Sequence, residues 1–105
     1  MKRKVMRVEW SAFALADRDA IFDYIEGDSP QAAITVDDRI RTEIESLARF
    51  PQRGRPGRIE GTRELVILRT PYIVCYRITG NTVRILRILH GARRCPDDMA
   101  EESPE

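Results

Sequence analysis

The residues best suited to chemistry lie near the end of the last apolar run of the chain. His90 is the only histidine, and Arg93 and Arg94 follow it closely. An imidazole can act as a general acid or base near neutral pH, and neighbouring guanidinium groups can stabilise negative charge. The structural alternative is a histidine at a strand end that hydrogen-bonds to the following loop. The spacing of these residues is compatible with both interpretations.

A second candidate site is a glycine-rich segment surrounded by three arginines, Arg55, Arg58 and Arg63. Gly54 and Gly57 would let the backbone approach a phosphate or a carboxylate closely. The segment lacks the strand, the lysine and the following helix of a nucleotide-binding P-loop. The alternative is a solvated loop whose arginines pair with Glu60 or Glu64.

Other reactive residue types do not form recognisable sets. The sequence contains no paired carboxylates, no metal-ligand cluster and no Ser/His/Asp arrangement, so we expect neither a metal nor a cofactor. Cys75 and Cys95 are the only cysteines, too few for a disulfide framework. Cys75 falls within an apolar run and is expected to be a small buried hydrophobic residue.

Charge is distributed unevenly along the chain. Residues 1–48 contain 7 basic and 10 acidic residues, and residues 49–96 contain 11 basic and 2 acidic residues. The last nine residues, 97–105, contain 5 acids and no base. The formal net charge of +1 therefore conceals a strongly basic second half, which predicts a polyanion or an acidic protein as partner.

The overall composition is typical of one small globular domain. The chain has 105 residues, of which 42% are hydrophobic, enough for a single core. No apolar run approaches the ~18 residues of a membrane span, and acidic residues interrupt any secretory signal. We therefore expect a cytoplasmic protein that does not bind membranes, with a disordered tail at 97–105.

The first half of the sequence predicts one strand and two helices. Residues 5–10 alternate loosely and predict a strand. Ser11 suits a helix N-cap before an amphipathic segment at 12–26, and Ser29 suits another before a helix that starts at Pro30 and ends near residue 49. Two helices joined by so short a turn form an antiparallel hairpin.

The second half predicts a loop followed by three strands. Two prolines and three glycines mark residues 51–61 as a loop. Strands are expected at 63–68, 72–79 and 83–90, the last two joined by a tight turn at Gly80–Asn81. The layout is β-α-α-β-β-β, an α+β fold in which the hairpin covers one face of a mainly antiparallel sheet.

Strict alternation in the last strand predicts the position of Arg87. It would share a face with Val83, Ile85 and Leu89. An arginine among apolar neighbours needs a partner, and Glu64 is the candidate. We therefore expect Arg87 to form a structural ion pair.

Four aromatic residues are expected to pack in the core or the hairpin: Trp10, Tyr24, Phe50 and Tyr72. Asp17 lies on the first helix, and we expect it on a solvated face or in a local hydrogen bond. Arg18 falls at the edge of the apolar stripe of this helix, where its stem can be buried while its charged end stays in water.

The order of these features resembles the RelE/ParE superfamily of bacterial toxins from type II toxin–antitoxin systems, and it leans to the ParE branch. The resemblance covers residues 7 to 96. It rests on motifs that occur in the expected order: Trp10-Ser11, Asp17 with Ile21 and Tyr24-Ile25, Phe50-Pro51, Gly54-Arg55-Pro56-Gly57-Arg58, Gly61-Thr62-Arg63-Glu64-Leu65-Val66, Pro71-Tyr72-Ile73-Val74, and Ile85 to His90 with Arg93.

The resemblance implies a toxin domain at 1–96, neutralised by a cognate antitoxin. Such antitoxins are commonly ParD-like ribbon-helix-helix proteins, so operator DNA would be contacted only through the antitoxin. ParE-type members inhibit DNA gyrase and have no known hydrolytic activity of their own, so an enzymatic activity is not the first expectation. The residues expected to contact antitoxin or target are Arg55, Arg58, Arg63, Arg93 and Arg94.

The resemblance leaves two alternatives open. RelE-type members cleave mRNA on the ribosome, and here His90, Arg93 and Arg58 would form such a site. These members usually carry an arginine where this chain has Ile73. The second alternative is an inactive member that only binds its partner. Two departures from the family pattern suggest it: Arg18 in place of a leucine, and Cys95 in place of a tryptophan.

Overall fold

The computed structural model describes residues 5–91. Its elements in chain order are β1 (Arg7–Trp10), α1 (Ala12–Glu26), α2 (Pro30–Ser46), β2 (Arg55–Pro56), β3 (Thr62–Val66), β4 (Tyr72–Thr79) and β5 (Thr82–His90). The strands form one sheet in the order β1-β5-β4-β3-β2. β1 runs parallel to β5, and the other neighbours are antiparallel. The predicted α+β fold is confirmed, with β2 as a short addition inside the predicted loop.

Both helices begin at the predicted serine caps. Ser11 and Ser29 have extended backbones, and their hydroxyls accept hydrogen bonds from the N–H groups of Ala14 at 2.9 Å and Ala32 at 3.1 Å. α1 has the predicted bounds, whereas α2 ends earlier than predicted. Neither of these two helices is long and apolar enough to cross a bilayer.

The core lies between the helical hairpin and one face of the sheet. We call this face the covered face and the opposite one the open face. The core contains Ala14, Ile40, Ile44, Leu47, Leu65, Ile67, Tyr72, Val74, Tyr76, Val83, Ile85 and Ile88. Each fully buried Leu, Ile or Val contributes about 1.5–3 kcal/mol relative to an exposed one. A smaller group on the open face, Ile73, Cys75, Leu86 and Leu89, is also buried.

A β-bulge in β5 changes which residues face the core. Tyr76 pairs with Ile85 and Cys75 with Arg87, so Leu86 is the extra residue. The bulge resets the alternation, and Ile88 returns to the core beside Ile85. The prediction that Arg87 shares a face with Ile85 is therefore wrong, because strict alternation makes no allowance for an inserted residue.

The aromatic residues divide into two groups. Tyr72 is buried, and Trp10 packs against the core, as predicted. Tyr24 is 77% exposed, so its prediction as a packing residue is wrong, whereas Phe50, at 47% exposed, is partly covered. The inner side of α1 is occupied by Ala14, and Tyr24 points away from it, because a single helix can bury only one stripe.

Cys75 is completely buried in β4, as predicted. Its sulfur is disulfide-bonded, a bond that the sequence did not predict. The other cysteine of the chain, Cys95, lies outside the described residues.

Candidate functional site: the arginine loop and its sheet

The predicted arginine segment, residues 51–61, is attached firmly to the sheet. We call it the arginine loop. The Tyr76 hydroxyl donates to the Pro51 carbonyl at 2.6 Å and accepts from the Gly54 N–H at 2.9 Å. Arg63 donates from Nη1 to the Gly54 carbonyl at 2.5 Å. The first turn of the loop is thus held by one tyrosine and one arginine.

Gly54 is required by this close approach. A Cβ atom at Gly54 would lie 2.7 Å from the Tyr76 hydroxyl and 2.8 Å from the Glu64 carbonyl oxygen. Both distances are shorter than a carbon–oxygen contact, so any larger residue would push the loop off the sheet.

The Tyr76 phenol remains protonated at neutral pH. Burial raises its pKa, and the hydrogen bond from Gly54 and the charges of Arg63 and Arg53 oppose that shift only partly. The phenol therefore keeps the proton that it donates to Pro51.

A further contact ties the loop to α2. Nη1 of Arg53 lies 2.8 Å from Oε1 of Glu43 and donates to the Ser46 hydroxyl at 2.6 Å. The loop is therefore anchored to both layers of the fold. Such anchoring reduces the ordering cost when the loop binds a partner.

The predicted contact arginines of the loop differ in their surroundings. The Arg55 side chain is 67% exposed, with Nη2 3.1 Å from Oε1 of Glu64. The Arg55 guanidinium is therefore open to a partner on its solvent side, whereas the Glu64 side chain is only 11% exposed. Arg58 is also exposed. Arg63 is only partly exposed and faces the covered side beside Tyr76, where it holds the loop.

Arg87 is a structural residue, but its partner is not Glu64 as predicted. Its Nε and Nη2 donate to the two carboxylate oxygens of Asp17 at 2.7 Å and 3.0 Å, and the Ile88 N–H donates to the same carboxylate at 2.9 Å. The prediction of a solvated Asp17 is wrong, because the carboxylate binds the edge of β5 where β1 has ended. The Asp17–Arg87 pair docks α1 onto the sheet.

Arg18, the departure from the family pattern on α1, is also accommodated. Its guanidinium donates to both carboxylate oxygens of Asp37 at 2.7 Å and 2.9 Å and lies 5.2 Å from the ring centroid of Trp10. The hydrogen bond from Arg18 lowers the pKa of Asp37 despite partial burial. Arg18 thus links the two helices instead of ending in water as predicted.

His90 ends β5 and is exposed. Its ring stands edge-on to Tyr72, with centroids 6.0 Å apart and planes at 78°. Arg93 and Arg94, its predicted neighbours, lie outside the described residues. Within residues 5–91, no group of His, Cys, Asp or Glu side chains is arranged to hold a metal ion.

The fold separates His90 from Arg58. His90 pairs with Tyr72 at one end of β4, whereas Gly57, next to Arg58, bonds to Thr62, which pairs with Arg77 near the other end. Tyr72 and Arg77 are five positions apart on β4, roughly 17 Å at the usual rise of an antiparallel strand. The structure therefore does not bring these two predicted site residues together.

Sequence reasoning missed two residues that shape the site, Tyr76 and Asp17. Tyr76 reads as one more apolar strand residue, and nothing local reveals that its hydroxyl reaches a loop 25 residues away. Asp17 had a usable signal, because Ala14 and Ile21 place it beside the buried stripe of α1. A carboxylate there needs a donor, and Arg87 is that donor, although the sequence pattern assigned Glu64 to Arg87.

Comparison with known proteins agrees with this fold. A family model described as the ParE toxin of the type II toxin–antitoxin system parDE matches residues 8–95. The Y4kP protein of Sinorhizobium fredii is 47% identical over 96 residues, covering 91% of this chain and 97% of its own. The toxin RelE2 of Caulobacter vibrioides is 44% identical over 87 residues, covering 83% of this chain and 97% of its own.

Two solved structures are similar as well. A chain of the chromosomal ParDE system from P. aeruginosa superimposes with a TM-score of 0.76 and 31% identity, over 83% of this chain and 97% of that one. A chain of the RelBE2 toxin–antitoxin complex from Mycobacterium tuberculosis gives a TM-score of 0.58 and 26% identity, over 88% and 98%. The chain therefore belongs to the ParE toxin family, within the RelE/ParE superfamily of type II toxin–antitoxin systems.

Proposed function

We propose that this type II toxin arrests growth by inhibiting DNA gyrase. The match to the ParE family model over residues 8–95 supports this branch of the superfamily. The observation that carries the proposal is the separation of His90 from Arg58 at opposite ends of the sheet. In addition, the buried apolar Ile73 occupies the place where RNA-cleaving members usually carry an arginine.

A cognate antitoxin completes the proposal. The similar solved structures come from a ParDE system and a RelBE2 complex, which supports a partner of this kind. We assign it a ParD-like ribbon-helix-helix module, with operator DNA bound through the antitoxin alone. In this proposal the toxin domain comprises residues 1–96, and the acidic tail comprises residues 97–105. The site of action is the bacterial cytoplasm.

Growth and supercoiling assays test the proposal. Expression of the chain alone should stop growth, and co-expression of the neighbouring open reading frame should restore it. Purified toxin should inhibit gyrase supercoiling of a relaxed plasmid. Normal gyrase activity together with codon-phased cuts in cellular mRNA would contradict gyrase as the target, whereas absence of any growth effect would indicate an inactive, binding-only member.

Ribosome-dependent mRNA cleavage is the second candidate. The likeness to the RelBE2 structure and to the toxin RelE2 favours it, and His90 with Arg93 and Arg58 would form its site. His90→Ala separates the two candidates. We expect unchanged toxicity, because inhibition by binding needs no general acid or base, and loss of toxicity with intact folding by circular dichroism would favour cleavage.

A further inference from the structure

Two arginines face each other directly on the open face of the sheet. Arg77 on β4 pairs with Arg84 on β5, and opposite residues of an antiparallel pair point to the same face. Both side chains are partly exposed. Like charges in this arrangement destabilise a sheet. The repulsion between Arg77 and Arg84 therefore lowers the stability of the fold and points to a role other than folding.

The remaining charges nearby offset this repulsion only weakly. Nη1 of Arg84 lies 3.6 Å from Oε1 of Glu9, and Nη2 of Arg7 lies 3.4 Å from the other oxygen of the same carboxylate. Within residues 5–91, the guanidinium of Arg77 has no hydrogen bond and no ion pair. Arg18 and Arg87, by contrast, each have a carboxylate of their own.

The pair belongs to a row that crosses the sheet to the arginine loop. In register, the row runs from Glu9 through Arg84 and Arg77 to Thr62. The Gly57 N–H bonds to the Thr62 carbonyl at 2.8 Å, which places the exposed Arg58 at the end of the row. Arg84 and Arg77 thus lie side by side on neighbouring strands, and Arg58 follows in the arginine loop.

We propose that Arg77 and Arg84 together bind a carboxylate of an acidic protein segment lying across this row. Two adjacent guanidinium groups can donate to one carboxylate, and its charge would remove their mutual repulsion. A nucleic acid suits the row less well, because no aromatic side chain lies in it for base stacking. Since the cognate antitoxin is the partner to test, the inference rests on the proposed function.

Arg77→Gln tests the site, with Arg41→Gln as the matched control. Arg41 lies on α2, where it pairs with Asp38 and Glu45. Calorimetric titration with the antitoxin should show about tenfold weaker binding for Arg77→Gln, the effect of one lost charge-assisted hydrogen bond. Binding should also depend less steeply on salt. Arg41→Gln should bind like the wild type.

Thermal unfolding of the same variants separates binding from structure. Arg77→Gln should leave the melting temperature unchanged or raise it, because it removes a repulsion. Equal antitoxin affinity for wild type and Arg77→Gln would overturn this inference while leaving the partner in place. Absence of antitoxin binding by the wild type would overturn both this inference and the proposal of a cognate antitoxin. If Arg77→Gln binds a DNA duplex more weakly than the wild type but keeps its affinity for the antitoxin, the arginine pair binds phosphate and not a carboxylate, and the inference is overturned.

Discussion

Two aspartates on the helical hairpin hold two arginines in place. Asp17 binds Arg87 through two hydrogen bonds, and Asp37 binds Arg18 in the same way. In each pair the guanidinium fork matches the carboxylate, a geometry that lysine does not offer. The consequence is that these two arginines are structural residues, while Arg55, Arg58 and Arg77 remain exposed to partners.

Asp17→Asn should destabilise the protein by about 2 kcal/mol, between the values for a single hydrogen bond and for a broken buried ion pair. The amide leaves Arg87 without a counter-charge in a partly buried position. Urea unfolding measures the change. Asp23→Asn is the control, because Asp23 is exposed on the same helix. An equal loss in both variants would show that the Asp17–Arg87 pair contributes nothing specific.

Tyr76→Phe should loosen the arginine loop while keeping the ring in the core. The variant loses both hydrogen bonds of the hydroxyl, and we expect a stability loss of about 1 kcal/mol. Hydrogen exchange at the Gly54 N–H should become faster. Tyr24→Phe, at a residue that is 77% exposed, should change neither quantity. Unaltered exchange at Gly54 in Tyr76→Phe would mean that the loop is held by other contacts.

At this scale the sequence predicts some positions and not others. The exposure of the arginines at 55 and 58 could be predicted because glycine and proline neighbours place them in a loop. Tyr24 could not be placed, since the apolar stripe of α1 is wider than the surface available to bury it. The partner of Arg87 could not be deduced either, because 70 residues separate it from Asp17.

Among the elements, α1 is joined to the sheet by its own N-cap. The Ser11 hydroxyl accepts from the Ala14 N–H and donates to the Leu86 carbonyl at 2.9 Å. The acceptor is the bulged residue of β5, so the bulge presents its carbonyl to the start of the helix. One side chain thus performs a local and a long-range task.

Ser11→Ala and Ser29→Ala form a matched pair that measures the long-range part. Both remove a helix cap, which costs about 1 kcal/mol. Only Ser11→Ala also removes a buried bond between α1 and β5, which adds about 1 kcal/mol. Chemical unfolding should therefore show a larger loss for Ser11→Ala. A smaller or equal loss would show that the bond to Leu86 is energetically neutral.

The helices and the β4–β5 register could be predicted, but the bulge could not. Serine caps and apolar periodicity are local signals, and they place the start of each helix. The turn at Gly80–Asn81 fixes Arg77 opposite Arg84 by counting outward, so even the arginine pair was available from the sequence. Leu86 becomes the inserted residue of the bulge because Ile88 must face the core, and that core is formed by residues that are distant in the sequence.

For the molecule as a whole, acid should weaken the fold partly through Asp37. The hydrogen bond from Arg18 lowers the pKa of Asp37 below its ordinary value of 3.8. As the pH falls, the unfolded chain therefore takes up this proton before the folded protein does. The stabilisation is present above the ordinary value and is lost as the pH falls through the lowered pKa.

Urea unfolding of the wild type and of Asp37→Asn at about pH 6 and about pH 3 checks this expectation. The wild type should be the more stable at the higher pH, and the difference should shrink in acid. Asp38→Asn, at a neighbouring exposed residue, should behave like the wild type. A constant difference between wild type and Asp37→Asn would show that Asp37 acts through packing instead of charge.

The parallel pairing of β1 with β5 also sets the order in which a newly made chain can fold. The helical hairpin depends on local contacts and can form early. β1 finds its partner only when β5 has been made, since Ser11 and Leu86 are 75 residues apart. At the usual rate of synthesis this delay is roughly 4–15 s. Until then β1 stays unpaired, so we expect the complete five-stranded sheet to form only after β5 has been made.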